Sequence, residues 1–167
     1  RAASYFFRVP ERAARGRKAK GQLALLDDTA KGQEYLLDIA NLIRQRIVAE
    51  TEAQALSATS ERLFVLFLPD QEIHELGLLY TNYMIRSFGG RTVYLGQSVP
   101  AEDLQQLSGM FTGPITYIGF ITSFPSADGM QHYFQDLRKR IPEAQHEFWF
   151  AGSQVNRAVD LKPPSGF

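Results

Sequence analysis

The sequence predicts an open parallel α/β sheet from about Arg62 onward, preceded by a helical segment. Three observations predict it. Leu63-Phe64-Val65-Leu66-Phe67-Leu68 is an unbroken apolar run, as expected of a strand buried on both faces. Apolar segments of strand length then alternate with amphipathic segments of helix length, which implies right-handed crossovers and a parallel sheet. Pro and Gly mark the changes, at Pro69, Gly89-Gly90, Gly96, Pro142 and Gly152.

Taken in order, residues 22–56 read as helical. Leu36, Ile39, Ala40, Ile43 and Ile47 recur at three- and four-residue spacing and form one apolar stripe. Arg44, Gln45 and Arg46 fall largely off it, and Asp27, Asp28 and Thr29 are N-cap candidates. Such a helix must bury its stripe against the following domain, upstream helices or another subunit. Ala53 to Ser60 reads as helix end and linker, giving a helical segment over 1–60 and an α/β domain over 61–167.

After the first strand, Pro69-Asp70-Gln71 forms a break. A helix follows from about His74 to Phe88, with Leu76, Leu79, Tyr80, Tyr83 and Met84 expected inward and Gly89-Gly90 as its stop. Thr92 to Leu95 is a second strand, and Gly96 to Pro100 a loop. Ala101-Glu102-Asp103 opens a helix to about Met110, with acids at its positive end. Tyr117 to Ile121, Asp128 to Arg140 and Glu147 to Ala151 are a strand, a helix and a strand. Beyond Gly152 the chain reads as loop, with a remnant of a fifth strand or helix before Pro163-Pro164. The loops after strands one, three and four then share the carboxyl edge, where open α/β sheets bind ligands.

Composition narrows the function classes. The 167 residues suit one domain with a smaller helical piece, and 44% hydrophobic content suffices for a core. A formal net charge of zero gives no global attraction to nucleic acid or anionic lipid. The absence of cysteine excludes disulfides, thiolate metal sites and cysteine nucleophiles. No apolar run approaches the ~20 residues of a membrane span, no signal-peptide pattern is present, and a cytoplasmic location is expected. A start at Arg1 rather than Met is expected of a fragment with an upstream domain. Arg1, Arg8, Arg12, Arg15, Arg17, Lys18 and Lys20 crowd the first twenty residues and read as a solvated linker before a nucleic-acid contact.

The loop after strand one carries the chemistry: Glu72-Ile73-His74-Glu75-Leu76-Gly77. A neutral imidazole at a pocket edge can ligate a metal through one ring nitrogen. Its other N–H needs an acceptor, and both Glu72 and Glu75 qualify. Gly77 permits close approach of a bulky ligand. The plainer reading is a surface histidine with acids capping a helix. His132 and His146 read as ordinary polar residues, Tyr80, Tyr83 and Phe88 as core, and Trp149 as a buried strand residue. There is no P-loop, and Ser123 with His74 is only a weak catalytic pairing.

Glu72-x-His74-x-x-Gly77 resembles the histidine loop of cobalamin-binding domains, in which that histidine ligates cobalt from below. Tyr94-Leu95-Gly96-x-x-Val99-Pro100 resembles the second strand and loop of that family; Gly119 falls on its third strand, and Gly152 within its usual Gly-Gly pair. The resemblance spans about Arg62 to Gln154. Glutamate at the first motif position and Tyr-Leu-Gly look closer to cobalamin-dependent MerR-type transcription regulators than to methyltransferases and mutases. Gln33-Glu34 and Asn41-Leu42-Ile43-Arg44-Gln45 resemble the last helix of the bundle that caps cobalamin in those regulators.

The resemblance implies a flavodoxin-like, Rossmann-like cobalamin-binding fold. It implies a non-enzymatic sensor that holds cobalamin, adenosylcobalamin among its forms, with base off and His74 on the metal. Glu72, Glu75, Gly77, Gly96, Thr122, Ser123 and Gly152 would complete the cofactor site. It further implies a homo-oligomer and contact with DNA through a domain outside this chain, with no membrane role. Three departures accompany it. The family's third strand ends in Ser-x-Leu, whose serine bonds the detached nucleotide tail; here Gly119-Phe120-Ile121-Thr122-Ser123 puts Phe120 and Ile121 at the tail channel. Ala151-Gly152 replaces Gly-Gly. Glu34-Tyr35 stands where light-sensing members have Glu-His for the upper ligand, and no tryptophan precedes it. These departures keep open a cofactor-free interaction domain with the same fold. A corrinoid carrier subunit of a methyltransferase or mutase is the third reading.

Overall fold

A computed structural model describes residues 30–54, 61–158 and 161–167. The basic cluster of the first twenty residues, the N-cap candidates Asp27 to Thr29 and most of the 53–60 linker lie outside them. The chain divides into two compact units, Arg1–Leu42 and Ile43–Phe167. Helix α1 (Ala30–Glu52) runs through the division. The second unit contains β1 (Leu63–Pro69), α2 (Leu76–Ser87), β2 (Arg91–Val99), α3 (Ala101–Ser108), β3 (Ile115–Phe120), α4 (Met130–Arg140), β4 (Glu147–Ala151) and α5 (Ser153–Arg157). A 3-10 turn, Ala127–Gly129, leads into α4. No described helix is long and apolar enough to cross a membrane.

The four strands form one parallel sheet in the order β2-β1-β3-β4. This is the predicted flavodoxin-like sheet after a helical segment. The order matters for the site. The chain leaves β1 toward β2 on one side and returns to β3 on the other, so the loops after β1 and β3 part at the switch point and leave a crevice.

Apolar patterning explains the layers. In β1, Leu63, Val65 and Phe67 join one core with Leu104 of α3, Leu137 of α4 and Ile141 just after it. Leu66 and Leu68 point the other way, onto Leu78 of α2 and Ile118 of β3. Helix α2 ends as expected: Gly89 takes φ +78°, Phe88 donates to Met84 O, and Gly90 donates to Ile85 O at 2.9 Å.

Several sequence expectations are corrected. Strand β2 runs on to Val99, and Gly96 lies within it rather than in a loop. Leu66 pairs with Tyr94 but Phe67 with Gly96, so a bulge intervenes, and Gly96 absorbs it at φ +85°. Helix α2 buries Leu78, Leu79 and Asn82, while Tyr80 is half-exposed and Phe88 lies largely in solvent. The segment has apolar residues on two adjacent faces, so its spacing did not determine which one faces the sheet. Trp149 is also half-exposed. Its neighbours Phe148 and Phe150 turn toward the α4 side, and on the edge strand Trp149 takes the opposite face, against Phe64 at a ring separation of 6.4 Å.

Beyond α5 the described tail packs on β4 in place of a fifth strand. Phe148 N–H donates to Gly166 O at 2.7 Å, Phe167 stacks on Phe148 at 4.6 Å, and the Arg138 guanidinium lies over both rings. His146 is internal. Its Nδ1 accepts the Ile115 N–H at 3.2 Å and ties the approach to β4 to the start of β3.

Candidate functional site

The candidate site is the loop between β1 and α2, at the carboxyl edge of the sheet. Pro69 closes the strand, and Glu72 N–H donates back to Pro69 O at 2.9 Å. Gln71 and Ser98 both adopt left-handed backbone, at φ +66° and +50°, where side chains other than glycine are uncommon. The two strained positions hold each other. Gln71 N–H donates to Ser98 Oγ at 2.9 Å, Ser98 Oγ–H donates to Asp70 Oδ1 at 2.8 Å, and Ser98 N–H donates to Glu72 O at 3.2 Å. The β1 loop is thus clamped to the end of β2.

Glu72 clamps it on the other side. Its side chain is fully buried. Oε2 accepts the backbone N–H groups of Thr122, Ser123 and Phe124 at 2.8, 2.6 and 3.1 Å, across the switch-point crevice. Oε1 accepts the N–H groups of Ile73 and His74 at 3.0 and 3.1 Å and sits 2.6 Å from His74 Nδ1. Burial alone would raise the carboxyl pKa. The bonds from Ser123, the His74 ring, Phe124 and the His74 backbone outweigh it and hold the pKa down at about 2. Glu72 is therefore a carboxylate at neutral pH.

That charge state sets the histidine. A carboxylate can only accept, so the His74 Nδ1 beside it carries the proton. In the neutral ring Nε2 then holds the free lone pair. Among the described residues Nε2 has no partner, and the side chain is 53% exposed, so this nitrogen is presented outward. The arrangement is an imidazole oriented by a carboxylate, the pairing that a metal-ligating histidine requires. Among the described residues no three His, Asp or Glu side chains gather as a metal site. His74 could supply one ligand at most, and the remaining ligands would have to arrive with the bound group.

The other predicted residues fall differently. Glu75 does not share the orienting role, and although it stands at the N-cap of α2 its side chain makes no capping bond. Its Oε1 pairs with Arg44 Nε of α1, and its Oε2 accepts the Tyr94 hydroxyl at 3.1 Å. Burial, then this carboxylate, raises the Tyr94 pKa. Thr122 and Ser123 contribute their amides, while Ser123 Oγ stays 3.5 Å from His74 Nδ1. Because Nδ1 already bonds Glu72, these groups do not form a nucleophile and base. Sequence spacing gave no sign of Phe124, Tyr94, Arg44 or the Ser98 partner of Asp70, because each reaches the loop from a distant segment. A cleft bordered by Glu61, Arg91, Met110 and Thr112 lies at the opposite, amino-terminal edge.

Measured against a cobalamin, the site gives two answers. The His74–Glu72 pair fits a lower axial ligand. The tail channel does not fit. A Cβ added to Gly77 would lie 2.9 Å from Phe120 Cε1, so the Phe120 ring already rests on α2's first turn. Gly152, at φ +126°, has the backbone of Ile121 where its Cβ would stand. Ile121 itself is fully buried beside Met130 and Phe134.

Fold and site together define an α/β domain of the corrinoid-protein fold with a carboxylate-oriented histidine at its switch point. The chain aligns over 80% of its length with the Methanosarcina barkeri monomethylamine corrinoid protein, covering 61% of that structure at a TM-score of 0.57 and 14% identity. A novel cobalamin-binding protein from Desulfitobacterium hafniense DCB-2 aligns over 84% of the chain and 75% of its own, at a TM-score of 0.47 and 14% identity. In sequence, the chain is 30% identical over 121 residues, 72% of its length, to the HTH-type transcriptional repressor CarH of Myxococcus xanthus. It spans 38% of that repressor's length. No protein-family model matches the chain.

Proposed function

We propose that this chain is the corrinoid-sensing effector domain of a MerR-type transcription regulator. The α/β domain over 61–167 holds the corrin ring with His74 Nε2 as lower ligand to cobalt and Glu72 as its orienting partner. The helix around Glu34 to Val48 contributes to the cap or to an oligomer contact. DNA is bound through a domain outside this chain, and ligand binding biases assembly on DNA as coupled sites do. The observation that carries this reading is the 2.6 Å contact between the buried Glu72 carboxylate and His74 Nδ1, which leaves Nε2 outward and unpartnered among the described residues. The similarity to the CarH repressor supports a regulator over a carrier subunit or other enzyme component.

A visible absorption titration of the chain with a corrinoid, wild type beside His74→Ala, tests it. A saturable spectral shift that is absent in the variant is the expected result. A shift that survives the substitution removes His74 as ligand, and no shift with any corrinoid rejects the reading. One observation favours a cofactor-free interaction domain: the Phe120 ring lies on Gly77 and the Ile121 backbone on Gly152. The absence of any shift would select that reading.

A further inference from the structure

The filled approaches bear on which corrinoid the site accepts, an inference that rests on the reading above. Cobalamin carries its own nucleotide base on the lower face. For His74 to take that coordination position, the base must detach and find a place. In a favourable complex the displaced base is buried, and its burial offsets the loss of its bond to cobalt. Here the space beside His74 is bounded by the first turn of α2, the end of β3 and the start of the loop after β4. Each boundary contains a glycine or a turn that would allow close approach, and each is already occupied by protein.

At α2, the Phe120 ring lies on the Gly77 backbone, and Phe120 packs with Leu66, Leu68, Leu78 and Ile118. At β4, the loops after β3 and β4 are sealed by backbone contact. Ile121 N–H donates to Ala151 O at 2.8 Å, Gln154 N–H donates to Ile121 O at 3.1 Å, and Ser153 Oγ–H donates to Thr122 O at 2.8 Å. Gly152 faces the Ile121 backbone across this seam. Farther down β3, a Cβ on Gly119 would meet the Phe150 and Phe67 rings. Ile121 offers a buried hydrocarbon side chain and no hydrogen-bonding group. To be buried at either boundary, a nucleotide would have to break the Phe120 packing or the β3–β4 seam. A corrinoid without the nucleotide tail requires neither, since its lower position holds only an exchangeable water or small anion.

We infer that the His74 site selects a tail-less corrinoid of the cobinamide class over complete cobalamin, because the Phe120 ring on Gly77 and the Ile121 backbone on Gly152 occupy the space a displaced nucleotide would need. The discrimination lies in the protein's own residues, so it can be altered. Phe120→Ala should open the α2 side, and adding Ile121→Ser should supply a hydroxyl at the end of β3 while the backbone contact at Gly152 stays in place.

The test is paired absorption titrations of the wild-type chain with diaquocobinamide and aquocobalamin, repeated on His74→Ala and on both opening variants. The wild type should bind cobinamide about ten-fold or more tightly than cobalamin, with a shift lost in His74→Ala. The opening variants should narrow that ratio. Should they fail to fold, as judged by circular dichroism, the wild-type ratio decides alone. Cobalamin bound as tightly as cobinamide, with its own base displaced, overturns the inference and leaves the sensor reading intact. Failure of both corrinoids to bind overturns the inference together with the reading on which it rests.

Discussion

The Glu72 carboxylate and the Ser123 amide meet at 2.6 Å across the crevice between β1 and β3, fifty-one residues apart in sequence. This bond joins the histidine loop to the loop that faces it at the switch point. A single buried carboxylate therefore both closes the carboxyl edge of the sheet and fixes the orientation of His74.

Glu72→Gln should destabilise the domain, because one of its two oxygens becomes a donor facing backbone N–H groups. The depressed carboxyl pKa corresponds to on the order of 3 kcal/mol at neutral pH. Its sign follows from linkage. The unfolded state takes up the proton first, near the ordinary value of 4.5, so the contribution is complete above that pH. It is then lost as pH falls through about 2. Urea unfolding of wild type and Glu72→Gln at pH 7 and at pH 3 checks this, and the stability gap should narrow on acidification.

His146 acts in the same direction, at a higher pH. Burial, the largest influence, lowers its pKa, and its Nδ1 must stay unprotonated to accept from Ile115. Its contribution is therefore complete above the ordinary histidine range and is lost as pH falls through the lowered folded-state value. Melting temperatures compared between wild type and His146→Gln from pH 8 to pH 5 should show the wild-type advantage shrinking with acid.

Gly152→Ala should be severe, because φ +126° is closed to most side chains and the new methyl would strike the Ile121 backbone. A loss of about 3 kcal/mol or more, or failure to accumulate as folded protein, is expected. Gly77→Ala meets only the edge of the Phe120 ring and should cost about 1–3 kcal/mol. Thermal denaturation of the two variants should rank them in that order.

Arg44, Glu75 and Tyr94 tie the later turns of α1 to the start of α2, one residue from His74. Arg44 is half-exposed, so water screens its pair with Glu75. A double-mutant cycle on Arg44→Ala and Glu75→Ala should give a coupling of about 1 kcal/mol or less, falling as salt is raised. Tyr94→Phe removes a hydroxyl from a buried carboxylate and should cost about as much as other hydrogen bonds to charged groups, about 1.5–3 kcal/mol.

Local pattern explains which parts were legible in sequence. The β1 run, the Gly89-Gly90 stop and the bounds of β4 depend on near neighbours and were readable. The pairing of His74 with a carboxylate was readable too, since the two candidates lie within two residues of it, although only the structure separates Glu72 from Glu75. Contacts from distant segments left no trace in spacing. These include the three amides at Thr122 to Phe124 that hold Glu72, the Arg44 partner of Glu75, and the seating of Phe120 on Gly77. The exposure of Trp149 was missed because a three-residue aromatic run does not reveal which strand lies at the sheet edge.

Electron paramagnetic resonance of the chain with Co(II) cobinamide tests the central claim most directly, using protein labelled with 15N-histidine and His74→Ala as control. This corrinoid brings no base of its own, so any axial nitrogen comes from the protein. Superhyperfine splitting from one nitrogen is expected, changing from triplet to doublet on labelling and vanishing in the variant. Splitting that ignores the label, or survives loss of His74, would contradict the claim.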